Sequence, residues 1–492
     1  MTTLGANEPT ASDIVGAVRA ASATAGQRVK RVHFSLTRAA SGEFVIAALF
    51  GLYLGFAVVR LPEVFESLAI PRLPMMLMLL FLISLLFIVP QQGWQIIWER
   101  SKALRLGSIL AGIACFTAPI GIWPSESYQF LRERYVISVA IFVCCLIFLR
   151  DRRAFRLAAT IYVLCLGAVS YDVLRTYDPN APAYNEDGDL IEPEVLAARP
   201  ELRRLRVVGI SLDSNDFGAI LATTFPLALW LSVGSFRRRV FWSSIAGLYV
   251  AAVVPTQSRG TMLGFLAAAT VLIGAGARGW RRWLTILLVG GGVAIFLVMA
   301  TGLGGGDRFS DFGGDDYNVS GSEGRMYFWR QGFVWMLKRP WGYGIVNYPT
   351  YFGILNGAER AAHSTWVQYG VELGVAGIVV FVLLCRTVIQ GLRQLRKAAV
   401  AQRDTVPGAR DEEALAGHML AMLTGLLVTG TFLSNAYYAL TYMALGMGAA
   451  VLLGTPLTVE TAPPKRDVPT PAGRGVLPRR KLRPHPQTKP GN

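Results

Sequence analysis

One histidine of four stands where chemistry at a membrane face would need an imidazole. His363 opens the run Ala362-His363-Ser364-Thr365-Trp366-Val367-Gln368-Tyr369-Gly370-Val371-Glu372-Leu373-Gly374, where a long polar loop enters an apolar segment. His33 and His485 lie in polar tails, and His418 opens a different apolar segment. Imidazole exchanges protons near neutral pH, so His363 is the candidate general base. The plainer role for a histidine there is a polar anchor. Ser364 and Thr365 behind it are helix-capping types. Glu372 falls about two turns into the segment. A carboxylate inside a membrane is functional or paired, and an outer-face arginine is its expected partner.

Arginine supplies a second chemistry. Pro255-Thr256-Gln257-Ser258-Arg259-Gly260-Thr261 is a tight polar hairpin between two apolar segments. Guanidinium keeps its proton and binds phosphate oxygens bidentately, so Arg259 suits an anion clamp. Ser258, Gly260 and the amides of the following helix start can add donors. A snorkelling turn arginine is the structural alternative. A further polar stretch, Arg206-Val207-Val208-Gly209 through Asp213-Ser214-Asn215-Asp216, also runs into an apolar segment. Its Asx residues are equally helix caps. Asp213 and Asp216 offer too few oxygens for a calcium loop, so no metal and no cofactor are expected. Arg325 lies in Ser322-Glu323-Gly324-Arg325-Met326-Tyr327-Phe328-Trp329-Arg330, ahead of Lys338-Arg339-Pro340-Trp341-Gly342-Tyr343-Gly344. Tyr327, Phe328, Trp329, Phe333 and Trp335 predict an amphipathic interfacial helix. Packing is favoured for these rings over stacking on sugars.

Membrane helices have to position these groups. The chain has 492 residues, 53% of them hydrophobic and 16% charged, with a mean hydropathy of +0.41, which is not the composition of a soluble enzyme. About twelve apolar segments are long enough for ~30 Å of hydrocarbon. They fall near 44–60, 74–90, 104–122, 135–149, 155–174, 217–234, 239–255, 261–277, 282–301, 364–385, 414–432 and 436–454. Arginines crowd the short loops on one side: Arg150, Arg152 and Arg153; Arg237 to Arg239; Arg278, Arg281 and Arg282; and a set from Arg386 to Arg410. The positive-inside rule then puts both termini in the cytoplasm and the loops near 175–208 and 302–362 on the outer face. The net charge of +16 belongs to this pattern and to the tails, not to nucleic-acid binding. The five cysteines lie in or beside apolar segments, so no disulfide framework is expected. Three regions result: a cytoplasmic tail (1–43) without a cleavable signal peptide, a polytopic domain (44–455), and a basic, disordered tail (456–492).

In order and spacing, Arg206 with Gly209, Asn215, Ser258-Arg259-Gly260, Gly324-Arg325 through Trp329, Pro340 through Gly344, and His363 through Gly374 resemble the O-antigen ligase and polymerase family of bacterial envelope enzymes. The resemblance covers about 200–385. Many relatives read Asp-Pro-Asn where this chain has Asp213-Ser214-Asn215, and the first five apolar segments carry no matching residues. The resemblance implies a helical GT-C-like fold in the inner membrane. It also implies inverting, metal-independent glycan transfer from an undecaprenyl-diphosphate-linked donor at the periplasmic face. The leaving diphosphate needs charge stabilisation more than a proton, which Arg206, Arg259 and Arg325 would supply. His363 would orient or deprotonate the acceptor hydroxyl, with Asn215, Ser258, Gly260 and Glu372 in support. A growing glycan, lipid A core and protein serine or threonine remain open as acceptors. Membrane lipids are the surroundings. A transporter or flippase of lipid-linked oligosaccharide shares the span count. Such a protein would place its charges near mid-membrane, whereas these polar residues cluster on one face.

Overall fold

Apolar runs fold as α-helices because hydrocarbon offers no partner to a backbone N–H or C=O. The computed structural model describes residues 40–70, 73–88, 91–177, 214–256, 258–274, 283, 286–287, 290, 325–357 and 359–454. All of these fall in the unit Met1–Leu457, and no strand occurs among the described residues. The helices of seven or more residues are α1 (Ala40–Leu54), α2 (Leu73–Ile88), α3 (Gln91–Arg100), α4 (Lys102–Thr117), α5 (Pro124–Phe130), α6 (Val136–Phe148), α7 (Arg152–Thr176) and α8 (Ser214–Leu231). They continue as α9 (Phe236–Val253), α10 (Arg259–Gly274), α11 (Arg325–Lys338), α12 (Asn347–Asn356), α13 (Thr365–Glu372), α14 (Gly374–Ala401), α15 (Ala409–Thr431) and α16 (Ala439–Leu453).

Among the described residues, four helices are long and apolar enough to cross a membrane: α7, α9 with its extension to Thr256, α14 and α15. Shorter apolar helices lie at Phe44–Val59, Leu73–Leu85, Arg259–Gly274 and Ala439–Leu453. Most of the expected ninth segment, 282–301, lies outside the described residues.

The expected tenth segment, 364–385, is not one helix. It breaks at Leu373 and Gly374 into α13 and the long apolar α14. The cause is a docked segment of chain. Tyr343 N–H donates to Val371 O at 2.9 Å, Gly344 N–H to Glu372 O at 3.0 Å, and Val375 N–H to Pro340 O at 2.8 Å. Gly374 adopts φ +72°, and a Cβ there would meet Pro340 O at 2.2 Å. Only glycine fits such a turn without strain. Glu372 therefore ends a short helix ahead of the long apolar one, rather than lying two turns inside a span.

The core centres on α8, which is buried along almost its whole length, as a helix apolar on all sides should be. Small residues let α10 and α15 approach it, the usual device where helices pack in lipid. A Cβ on Gly264 would meet Thr429 Cγ2 at 2.3 Å, and one on Gly425 would meet Ala222 O at 3.0 Å. At the far end of α15, Arg152 donates to Glu412 at 2.6 and 2.9 Å and to Val451 O at 2.7 Å, tying together α7, α15 and the last turn of α16.

Candidate functional site

The site begins with the start of α13. Ser364 caps the helix, its hydroxyl accepting from Val367 N–H at 3.5 Å. One face of α13 is fastened to the turn between α15 and α16. Thr365 Oγ1 donates to Leu433 O at 2.8 Å and accepts from Asn435 N–H at 3.1 Å. Trp366 Nε1 donates to Thr431 Oγ1 at 3.1 Å, and Gln368 Oε1 accepts from Ala436 N–H at 3.4 Å. The Tyr369 hydroxyl donates to Ala436 O. His363 stands on this fastened base, half-buried between the buried Ala362 and Ser364. Its φ of +47° is left-handed, a region costly for most residues with a Cβ, and the surrounding hydrogen bonds hold it there.

Phe328 of α11 is buried and meets His363 edge-on, with ring centroids 6.2 Å apart. The aromatic residues of α11 divide. Phe328 and Trp335 pack inward against Tyr348 and Phe352 of α12, as expected, while Phe333 is exposed. Glycine brings α11 close to α13: a Cβ on Gly332 would meet Val367 Cγ1 at 2.3 Å, and one on Gly370 would meet Met336 Sδ at 2.7 Å.

Glu372 holds α12 in place. Its buried carboxylate accepts from Val346 N–H at 2.9 Å and Tyr348 N–H at 3.2 Å, across the N-terminus of α12. Free amides and the helix dipole both favour an anion there. The expected arginine partner does not occur among the described residues: the group is held by backbone. The Tyr437 hydroxyl faces the carboxylate without meeting strict hydrogen-bond geometry. Burial nevertheless pushes the Glu372 carboxyl up to about 7, against the lowering pull of the two amides. Tyr348 then passes the alignment on, donating to Phe328 O at 3.0 Å.

The hairpin completes the cluster. Ser258 caps α10: its Oγ accepts from Thr261 Oγ1 at 2.9 Å and from Thr261 N–H at 3.4 Å. Half-buried Arg259 is the first residue of α10. A Cβ on Gly260 would meet Phe432 Cβ at 3.0 Å, and Phe432 in turn lies 6.1 Å from Trp329. Asn215 is buried in the first turn of α8. That turn abuts the start of α10, since a Cβ on Gly218 would meet Thr261 Oγ1 at 2.2 Å. The start of α10 thus meets the start of α8 on one side and Phe432 on the other, and Leu433 beside Phe432 holds the start of α13.

Arg206 and Asp213 lie outside the described residues. Arg325 begins α11, but its side chain is outside the description. Among the described residues, no three His, Cys, Asp or Glu side chains come together as a metal-binding group. Sequence reasoning missed Phe432, Asn435 and Ser127. Ser127 Oγ donates to Ile345 O at 2.9 Å and Ile122 N–H to Tyr343 O at 2.9 Å, so α5 and the turn ahead of it support the docked segment. The one local signal was Ser434-Asn435, a polar pair between two apolar segments.

These features define a helical membrane protein with an imidazole, a guanidinium and aromatic rings at one end of its helices. Residues 245–382 match the family model described as O-antigen ligase, which supports assignment of the chain to the O-antigen ligase family. The match runs from within α9 into α14, taking in Arg259, α11, α12, His363 and Glu372, while Arg206 and Asn215 precede it. No curated protein matches the chain.

Proposed function

We propose that this protein transfers a glycan from an undecaprenyl-diphosphate-linked donor to an acceptor hydroxyl at the periplasmic face of the bacterial inner membrane. The observation that carries the reading is the contact path from Arg259 through Gly260, Phe432, Trp329 and Phe328 to His363. It joins a guanidinium to an imidazole that both lie within the segment matching the O-antigen ligase model, by way of Phe432, which lies beyond that segment. In the reaction, the bond between the anomeric carbon and the diphosphate oxygen breaks. Its electron pair leaves with the diphosphate, whose charge Arg259, Arg206 and Arg325 stabilise. The acceptor oxygen forms the new bond from the opposite face, which inverts the anomeric centre. Its proton passes to the His363 imidazole. Glu372 and Ser258 work at one remove, through α12 and α10.

The accompanying topology has about twelve spans, cytoplasmic termini, and periplasmic loops near 175–208 and 302–362. In a background without native cysteines, an impermeant thiol reagent added outside should label Asp315→Cys and spare Thr405→Cys. The reverse pattern would move the site to the wrong side.

Transfer is tested with the purified protein in bilayers containing lipid-linked donor and candidate acceptors. Wild type should form the inverted product with chelator present. Arg259→Lys should slow it roughly 10- to 100-fold, because a point charge cannot replace a bidentate fork. Near-normal rates for Arg259→Ala would remove the clamp, and chelator inhibition would remove metal independence. Donor crossing the bilayer with no new glycosidic bond would establish a flippase instead. Mass analysis of lipopolysaccharide, surface glycan and glycoprotein from a deletion strain identifies the acceptor.

A further inference from the structure

Building on the glycan-transfer reading, we infer that Trp329 and Phe432 form an aromatic corner that holds the donor sugar ring whose anomeric carbon reacts. Both side chains are only partly buried, unlike Phe328 and Trp335 on the same helix, which are 1% and 2% exposed. Their ring centroids are 6.1 Å apart and their planes meet at 39°, so they make an angled wall rather than a closed stack. The Trp329 Nε1–H is buried and donates to no partner among the described residues. Buried donors in native proteins are nearly always paired, so this one marks where an acceptor atom belongs.

The position identifies the occupant. On one side, Phe432 packs against Gly260, next to Arg259. On the other, Trp329 adjoins Phe328, whose ring meets His363. In the proposed transfer, the anomeric carbon lies between the departing diphosphate and the attacking hydroxyl. The sugar bearing it therefore lies between Arg259 and His363, where the corner is. The acceptor sugar lies beyond the hydroxyl, and the lipid beyond the diphosphate. A pyranose ring suits the corner chemically. Its C–H face packs on an aromatic ring, and a ring hydroxyl accepts the indole N–H. Trp329 is thus a donor-binding residue, and the corner sets which first sugar is tolerated.

The test separates the corner from the clamp. Steady-state transfer by the full-length protein in bilayers is measured for wild type, Trp329→Phe, Trp329→Ala and Phe432→Leu, with melting temperature as a check on folding. Trp329→Phe keeps a ring and loses only the N–H, so donor KM should rise roughly 3- to 10-fold while acceptor KM stays unchanged. Trp329→Ala should raise it roughly 10- to 100-fold. Undecaprenyl diphosphate, which carries no sugar, serves as a competitive inhibitor. Its Ki should be unchanged in Trp329→Phe and raised in Arg259→Lys. A Trp329→Phe enzyme with wild-type donor KM, or with a raised acceptor KM instead, overturns the corner and leaves the transfer reading standing. Absence of transfer by wild type overturns both.

Discussion

The two ends of α15 hold buried acids in opposite ways. Near its start, Glu412 meets the Arg152 guanidinium in a two-point ion pair, and Arg152 also closes on the Val451 carbonyl. Near its end, roughly 28 Å away along the helix, the turn at 432–437 backs α13, and the acid there is Glu372. That acid takes backbone amides of α12 as partners. At the first end, arginine is spent on holding helices together. At the second, helix-end amides do that work, and the local arginine, Arg259, stands at the start of its own helix beside Phe432. The two ends thus differ in the partner given to a buried acid: a side-chain cation at one, backbone amides at the other.

The comparison breaks most visibly at His363. In the substrate end, His363→Ala should lower transfer about 100- to 10,000-fold with the melting temperature unchanged. A variant keeping more than about a tenth of the wild-type rate would make His363 an interface anchor. At the structural end the readouts should exchange. Glu412→Ala leaves a mostly buried guanidinium without its anion, which should cost about 2–4 kcal/mol of stability. Transfer per folded molecule should stay at the wild-type level. A stable Glu412→Ala protein that cannot transfer glycan would dissolve the distinction between the ends.

The smallest effect is expected from Glu372→Gln, which keeps the size of the side chain and one acceptor oxygen, although the two amides take different oxygens of the wild-type carboxylate and one of them loses its acceptor. The wild-type carboxyl is raised from an ordinary 4.5 to about 7, mainly by burial. A raised acid favours the folded state while it is protonated. Its contribution is therefore complete below about pH 4.5 and is lost as pH rises through about 7. The wild-type melting temperature should fall across that window, and Glu372→Gln should flatten the fall. An unchanged slope in the variant would show that Glu372 stays ionised on its amides throughout.

The sequence alone determined the elements and the chemical types. Long apolar runs between polar stretches specify helices because backbone groups in hydrocarbon must pair within a segment, a rule that depends on local composition only. An arginine in a short polar hairpin between apolar runs and a histidine at the mouth of an apolar run are conspicuous for the same local reason, and both stand in the cluster. Packing was the expectation for the aromatic residues of α11 as a group; Phe328 and Trp335 are buried, whereas Phe333 is exposed. Only the tertiary structure decided the partners. Glu372 finds its amides 26 and 24 residues back along the chain, because the docked Trp341-Gly342-Tyr343-Gly344 segment carries the start of α12 there. That same docking cuts the expected tenth segment at Gly374. Phe432 reaches both Gly260 and Trp329 across more than a hundred residues. No periodicity encodes such contacts, because they arise where separate helices pack, and only close approach shows which side chains fill the space between them.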